Sequence, residues 1–292
     1  MAGTRRPPGR NAAPKGRLVE GAPAASLLYL YGIIEPGTPA TRLLESGRVA
    51  GIDPDEPLFA IDGGDLVGAA SRVSATTFSE TALNELSLDL PRLTPVVVRH
   101  EQAVRELFDA GPAIVPTTFG AVYAEEASIT RFLESERPRL LDLLDSIRGK
   151  QEWGVKVFAD GAAVRAAVET SSKALRATDE EARAAGPGRA YLLQRKREEL
   201  LGEEVRACVG DVLESVIQEL VSRSNDARLD DVPVNQDGPV ELVLKAAFLV
   251  EEARAEAFKA CSVELYDRAS SRGLTLEVSG PWAPYSFTGA RP

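Results

Sequence analysis

Hydrophobic positions along this chain fall into two kinds of pattern, short runs of strand length and stripes at helical spacing. Residues 27–34 (LLYLYGII) make an apolar, aromatic-rich run closed by Glu35-Pro36-Gly37, the pattern of a buried strand. A turn-rich link with one short helix over 41–46 follows. In LFAIDGGDLVGAASRV, Asp62-Gly63-Gly64-Asp65 separates two apolar runs, and the paired glycines supply the positive φ that a tight hairpin requires. Ser79 is placed to cap a helix over 78–88. Val97, Val104, Leu107 and Phe108 mark a second helix, ended by Gly111-Pro112. Residues 113–123 (AIVPTTFGAVY) read as a fourth strand, at a sheet edge or bulged, because Pro116 has no N–H to give to a ladder.

Residues 125–148 return to helical spacing, with Ile129, Phe132, Leu133, Leu140 and Leu144 on one side and Pro138 placed to kink or divide the helix. The strand EWGVKVF (152–158) comes next, then a helix over 161–176, a Gly186-Pro187-Gly188 connector and a long helical stripe over 189–223. Unbroken, that last helix is on the order of 50 Å long, more than a small sheet needs for cover, and part of it is expected to project. ARLDDVPVN reads as a strand, and ELVLKAAFLV is assigned as a strand over a buried helix because its partner elements then fall into place. A helix carrying Phe258, Cys261 and Leu265 on one face follows, and the alternating strand LTLEVSG ends the series.

This order predicts an α+β protein of two domains, each a modified ferredoxin-like sheet with helices, the second bearing a long helical elaboration in its first crossover. The expected division is a basic tail without order over 1–26, an N-terminal α+β domain over 27–124, a helical bridge over 125–150, a C-terminal ferredoxin-like domain over 151–279, and an aromatic and proline-rich segment over 280–292.

Charge narrows the partners. The formal net charge is −10, and residues 1–26 hold five basic residues against Glu20 alone, so the acidity is concentrated in the remainder. An acidic fold without aromatic RNP motifs argues against a nucleic-acid partner. No window approaches 18 consecutive apolar residues, and the basic N-terminus has no apolar run before a small-residue cleavage site, so neither a membrane span nor a secretory signal is expected and the location expected is cytoplasmic.

Candidate chemistry is sparse. Cys208 and Cys261 sit in helical patterns without CxxC spacing and read as small core residues. Asp62 and Asp65 flank a GG turn and read as solvated turn residues in preference to metal ligands. His100, the one histidine, begins an HExxH-like stretch but has Val104 where the second imidazole is required, so it reads as structural. No serine elbow, phosphate loop or reactive lysine motif accompanies it. No catalytic residue, metal site or cofactor site is assigned.

Four features carry a resemblance. They are LYLYGII, the pair His100-Glu101 followed by Pro116 and Phe119-Gly120, the strand WGVKVF at 153–158, and the ending GPWAPYSF at 280–287. In this order they resemble the gas vesicle protein F/L family (GvpF/GvpL) over about residues 27–287. The family often has an arginine before its Phe-Gly pair where this chain has Thr118, so no role for that arginine is carried over. The resemblance implies no enzyme activity and no cofactor. It implies a gas vesicle location and an accessory or minor structural protein that associates with the small apolar shell protein GvpA, supports vesicle assembly and works beside other accessory proteins. It does not separate the F from the L branch.

Trp282, Tyr285 and Phe287 concentrate aromatic area beside Pro281 and Pro284, which stiffen the chain, and are the candidate partner-binding residues. The alternative for these three is that they fold back over the protein's own sheet. The alternative for the whole chain is a small-ligand-sensing ferredoxin-like regulatory protein, which would need a ligand pocket.

Overall fold

A computed structural model describes residues 26–233 and 238–289. The expectation of a tail without order lies, except for Ser26, outside the described residues. The chain forms two compact units, the first containing residues up to Gly149 together with the segment from Trp282, the second running from Lys150 to Pro281.

In the first unit β1 (Ser26–Ile34) is followed by α1 (Pro39–Glu45), the hairpin strands β2 (Phe59–Asp62) and β3 (Val67–Ser74), and three helices, α2 (Ala75–Phe78), α3 (Glu80–Ser87) and α4 (Leu90–Ala110). Two very short strands, β4 (Val115–Pro116) and β5 (Val122–Tyr123), both pair with β1. Strand order is β2-β3-β1-β4, with every pairing antiparallel. After Ser26, every residue of β1 is buried.

The reason is that helices cover both faces of this sheet. Tyr29, Tyr31 and Ile34 join Phe78, Val96, Val104 and Leu107 in one core. On the opposite face α5 (Glu126–Ser135) approaches so closely that a Cβ added at Gly68 would lie 3.3 Å from Ile129. With α6 (Arg137–Ile147), it buries Ile129, Leu133, Leu140, Leu144 and Ile147. Residues 125–147 therefore pack as part of the first unit, divided into two helices ahead of Pro138. A strand enclosed on both sides reads as a continuous apolar run, which is what LLYLYGII is.

The pairing of β1 with β3 slips between Leu30 and Gly32, leaving Tyr31 as an extra residue. This bulge resets the alternation, so Ile34 and not Ile33 joins Tyr29 and Tyr31 in the core they share with α4. The single strand expected over 113–123 is two fragments on the same edge of β1, separated by the loop 117–121. Pro116 ends the first fragment, and the ladder then gives way to bonds from the loop. Thr117 N donates to Tyr31 O at 2.9 Å, and Leu30 N donates to Ala121 O at 2.9 Å. The helix marked by Val97, Val104, Leu107 and Phe108 starts at Leu90, because the Asp89 side chain caps it by accepting from Arg92 N at 3.2 Å and Pro91 suits the first turn.

The second unit runs β6 (Lys150–Asp160), α7 (Gly161–Ser171), α8 (Lys173–Ala184), α9 (Pro187–Val221), β7 (Asp226–Asp230), β8 (Val240–Glu251), α10 (Ala255–Ser270) and β9 (Leu274–Trp282). Its strand order, β7-β8-β6-β9, repeats that of the first unit and is the ferredoxin-like order. ELVLKAAFLV is a strand here, pairing along most of β6. The helix expected over 161–176 is two, because Ser172 caps a new start by accepting from Leu175 N at 3.2 Å. Gly202 and Gly210 leave α9 continuous over 35 residues. Its N-terminal half packs against α8, where Arg197 reaches Asp179 at 2.7 Å. The core on the helical face includes Trp153, Val155, Val157, Phe248, Phe258 and Leu276.

Gly273 ends α10 at φ +82°, and a Cβ there would fall 2.4 Å from Val164 N. Gly273→Ala is expected to cost about 2 kcal/mol or more, from the positive φ and the clash with immobile backbone together. Chemical denaturation of the purified variant measures it.

Candidate functional site

In the first unit, three segments far apart in sequence meet on the face of β1 that packs against α4. Strand alternation sends the side chains of Tyr29 and Tyr31 into that core, both fully buried. Helical spacing puts His100 on the buried side of α4 with Val96, Ala103, Val104 and Leu107, and it is only 1% exposed. From the other end of the chain, the short 3-10 turn Tyr285–Phe287 brings Tyr285 to the same place.

A chain of hydrogen bonds links them. Gly120 N donates to the Tyr29 hydroxyl at 2.9 Å, and that hydroxyl lies 3.0 Å from His100 Nδ1. His100 Nε2 is 3.3 Å from the Tyr285 hydroxyl, which in turn donates to the Glu101 carboxylate. With a fixed donor at one end and an acceptor at the other, the direction follows. Tyr29 O–H donates to Nδ1, and the proton resides on Nε2 and points to Tyr285, a tautomer assigned from the network. Tyr31 stacks on His100 with ring centroids 5.8 Å apart, and its hydroxyl bonds Ser71 Oγ at 2.9 Å and accepts from Ile52 N at 2.5 Å. Phe119 meets the imidazole edge-on.

Electrostatics follow from burial. Loss of water pushes the His100 imidazole down to about 4, against the opposing effect of the Thr117 backbone, so the ring is neutral near neutral pH. Burial raises Glu101, with the Tyr285 bond acting in the opposite sense, and raises both tyrosine phenols. The neutral imidazole is shut away from solvent with both nitrogens engaged. What this arrangement does is fasten the C-terminal segment to the core.

The candidate partner-binding residues are placed differently from one another. Trp282, at the end of β9, is 44% exposed. Tyr285 is half-buried against His100, and Phe287 is 7% exposed. The segment is held further by Arg139 Nη2, which donates to Thr288 O at 3.3 Å, and by buried Ala283. The features singled out in the sequence converge here: LYLYGII supplies Tyr29 and Tyr31, His100-Glu101 and Phe119-Gly120 surround them, and the ending supplies Tyr285. In the second unit the remaining feature, WGVKVF, meets the start of that ending, since a Cβ on Gly280 would lie 3.3 Å from the Trp153 ring. The phenol contacts were not legible beforehand, because an inward tyrosine in a strand has the same pattern as any core aromatic.

Cys261 is buried and Cys208 partly so, with burial raising both thiols. Gly64 N bonds Asp62 Oδ1 at 2.8 Å, so Asp62 braces its own turn. Among the described residues no group of three His, Cys, Asp or Glu is placed to hold a metal, and no helix is long and apolar enough to cross a membrane. A cleft of about 310 Å³ between α9 and α10 is lined by Asp211, Ser215, Arg268 and Arg272, with Arg268 bonded to Glu219.

Known proteins are similar to this chain as a whole. The family described as gas vesicle synthesis protein GvpL/GvpF matches residues 27–289. Gas vesicle protein L of Streptomyces sp. (strain CB03234) is 33% identical over 276 residues, covering 90% of this chain and 93% of that protein. Gas vesicle protein F of the same strain is 28% identical over 260 residues, covering 89% of this chain and 98% of that protein. The crystal structure of GvpF from Anabaena sp. PCC7120 shares the fold at a TM-score of 0.64 and 19% identity, covering 91% of this chain and 99% of that one.

Two substitutions test the packing. Tyr31→Phe is expected to cost about 1–3 kcal/mol, because it leaves Ile52 N–H and the Ser71 hydroxyl without their shared partner. Phe287→Ala is expected to cost about 3–5 kcal/mol, as for a core aromatic. Both are read from denaturant midpoints at unchanged slope.

Proposed function

The chain belongs to the GvpL/GvpF family of gas vesicle synthesis proteins, and we propose that it is an accessory protein that binds the small apolar shell protein GvpA and supports its assembly into vesicles. The observation that carries this reading is the match over residues 27–289, which takes in both units and the C-terminal segment. A mostly apolar shell subunit aggregates before it is built in, and a soluble partner covering its exposed surface prevents that. The net charge of −10 supports the reading, because an acidic partner keeps the complex dissolved. On this reading the protein works in the cytoplasm and at the growing vesicle.

We place the contact at the C-terminal segment. Trp282 presents the exposed aromatic surface, while Tyr285 and Phe287 hold the segment in one conformation, so little entropy is lost on docking. The acidic surface gives no reason to expect salt-sensitive attraction to an apolar partner.

Co-expression with GvpA followed by co-purification tests both statements. Wild-type protein is expected to retain GvpA at high salt. Trp282→Ala is expected to lose at least tenfold in retained GvpA with an unchanged melting temperature. Failure of the folded wild type to retain GvpA would overturn direct binding, and full retention by Trp282→Ala would move the contact elsewhere.

A further inference from the structure

We propose that the outer face of the first half of α9 is a docking surface for a second copy of this chain, and that two α9 helices pair antiparallel in a weak dimer. This concerns self-association alone and does not depend on the identity of the partner proposed above.

Helical spacing sorts the charges of this stretch into two sets. Arg197 lies on the side of buried Leu193 and Leu201, and it reaches Asp179 on α8 and Glu169 on α7. Arg189 pairs with Glu181 on α8, and Glu198 with Arg165 on α7. These charges are spent inside the unit. Leu192, Lys196, Glu199 and Glu203 recur at helical spacing on another side, with Arg195 beside them, and all five are exposed, Leu192 at 65%. Among the described residues, none of these four charged side chains takes part in an ion pair.

The stripe runs from an apolar residue through a basic turn into two acidic ones. For a helix on its own that layout is poor. Arg195 stands one turn before Glu199, the weaker order for such a pair, and Glu199 and Glu203 are like charges one turn apart. For a surface that meets its own copy the same layout is complementary. With a two-fold axis between Arg197 and Glu198, Lys196 of each copy faces Glu199 of the other. Arg195 then stands between Glu199 and Glu203 of the other copy, and Leu192 lies along the methylenes of that Glu203. A parallel pairing would set lysine against lysine and glutamate against glutamate. A partner carrying one sign of charge would match only half of the stripe, and this selects a second copy as the occupant.

From Leu192 to Glu203 the stripe is about 17 Å long, so the contact falls at the low end of specific interfaces. Its attraction is mostly between solvated charges, which makes the dimer weak and sensitive to salt.

Sedimentation equilibrium of the full-length protein at about 0.1 mM tests the pairing. The wild type is expected to populate a dimer at low salt, with a dissociation constant that rises about tenfold or more in 1 M salt, where the screening length is about 3 Å. Two variants separate the stripe from every other surface. Arg195→Glu with Lys196→Glu makes it wholly acidic, and Glu199→Lys with Glu203→Lys makes it wholly basic. Each alone is expected to be monomeric at an unchanged melting temperature, and their equimolar mixture to form a one-to-one dimer. Both variants keep a net negative charge, since the wild type carries −10, so bulk attraction does not drive the mixture together. Carbodiimide coupling in a mixture of isotope-labelled and unlabelled wild type gives a readout that needs no variant, a bond between Lys196 of one copy and Glu199 of the other. A wild type that stays monomeric at low salt would overturn the proposal. So would a dimer that cross-links only elsewhere, dimerisation of either folded variant alone, or a mixture of the two that stays monomeric.

Discussion

A strand covered on both faces cannot leave a hydroxyl unbonded, and β1 carries two of them into the core. Tyr29 and Tyr31 contribute large apolar area, yet each phenol stripped of water needs a partner inside the protein. The first unit is arranged around meeting that need. Ile52 N and Ser71 serve Tyr31. Gly120 N and His100 serve Tyr29. To bring Gly120 there, the edge of the sheet gives up a continuous strand for two short pairs and a loop, with Gly120 itself at φ +91°. Satisfying Tyr29 with His100 passes the problem on, because the second ring nitrogen then needs a partner as well. Tyr285 supplies it from nearly two hundred residues away.

This explains why an imidazole flanked by a carboxylate and two phenols, a set that suggests acid-base chemistry when read as a list, acts as a structural joint. The ring is neutral, enclosed and bonded at both nitrogens, and its effect is to position the C-terminal segment. On the proposed reading, such a joint gives a gas vesicle accessory protein a stiff aromatic edge at Trp282. The binding energy of that edge is then not spent on ordering the chain.

Both units show the ferredoxin-like strand order, and how far each was readable from sequence depends on burial. LLYLYGII and ELVLKAAFLV are apolar runs from central strands; the first stood out, while the second reads equally as a buried helix and was decided by its partner elements. The split of the fourth strand was half visible. Pro116 announced a defect there, but the length of the loop is set by the Tyr29 hydroxyl that Gly120 must reach. The break at Ser172 was hidden because a serine cap inside a helical pattern is common, and only the packing of α7, α8 and α9 separates a new start from a continued turn. The bulge at Tyr31 left no mark at all, since it shifts which of two adjacent isoleucines faces α4 without altering the apolar run.

The sequence by itself determined the α+β class, the places of the main strands and helices and, through four short motifs, the family. These rest on local periodicity, on turn and cap chemistry, and on residue types that a single chain displays in line. The tertiary structure alone decided that residues 125–147 cover the second face of the first sheet, and that Phe287 lies inside while Trp282 lies outside. It also decided that three of the motifs are one cluster. Those outcomes depend on which surfaces remain uncovered once the other elements are placed, and on which buried hydroxyl still lacks a partner. Both are properties of contacts between residues far apart in the chain, and local pattern does not record them.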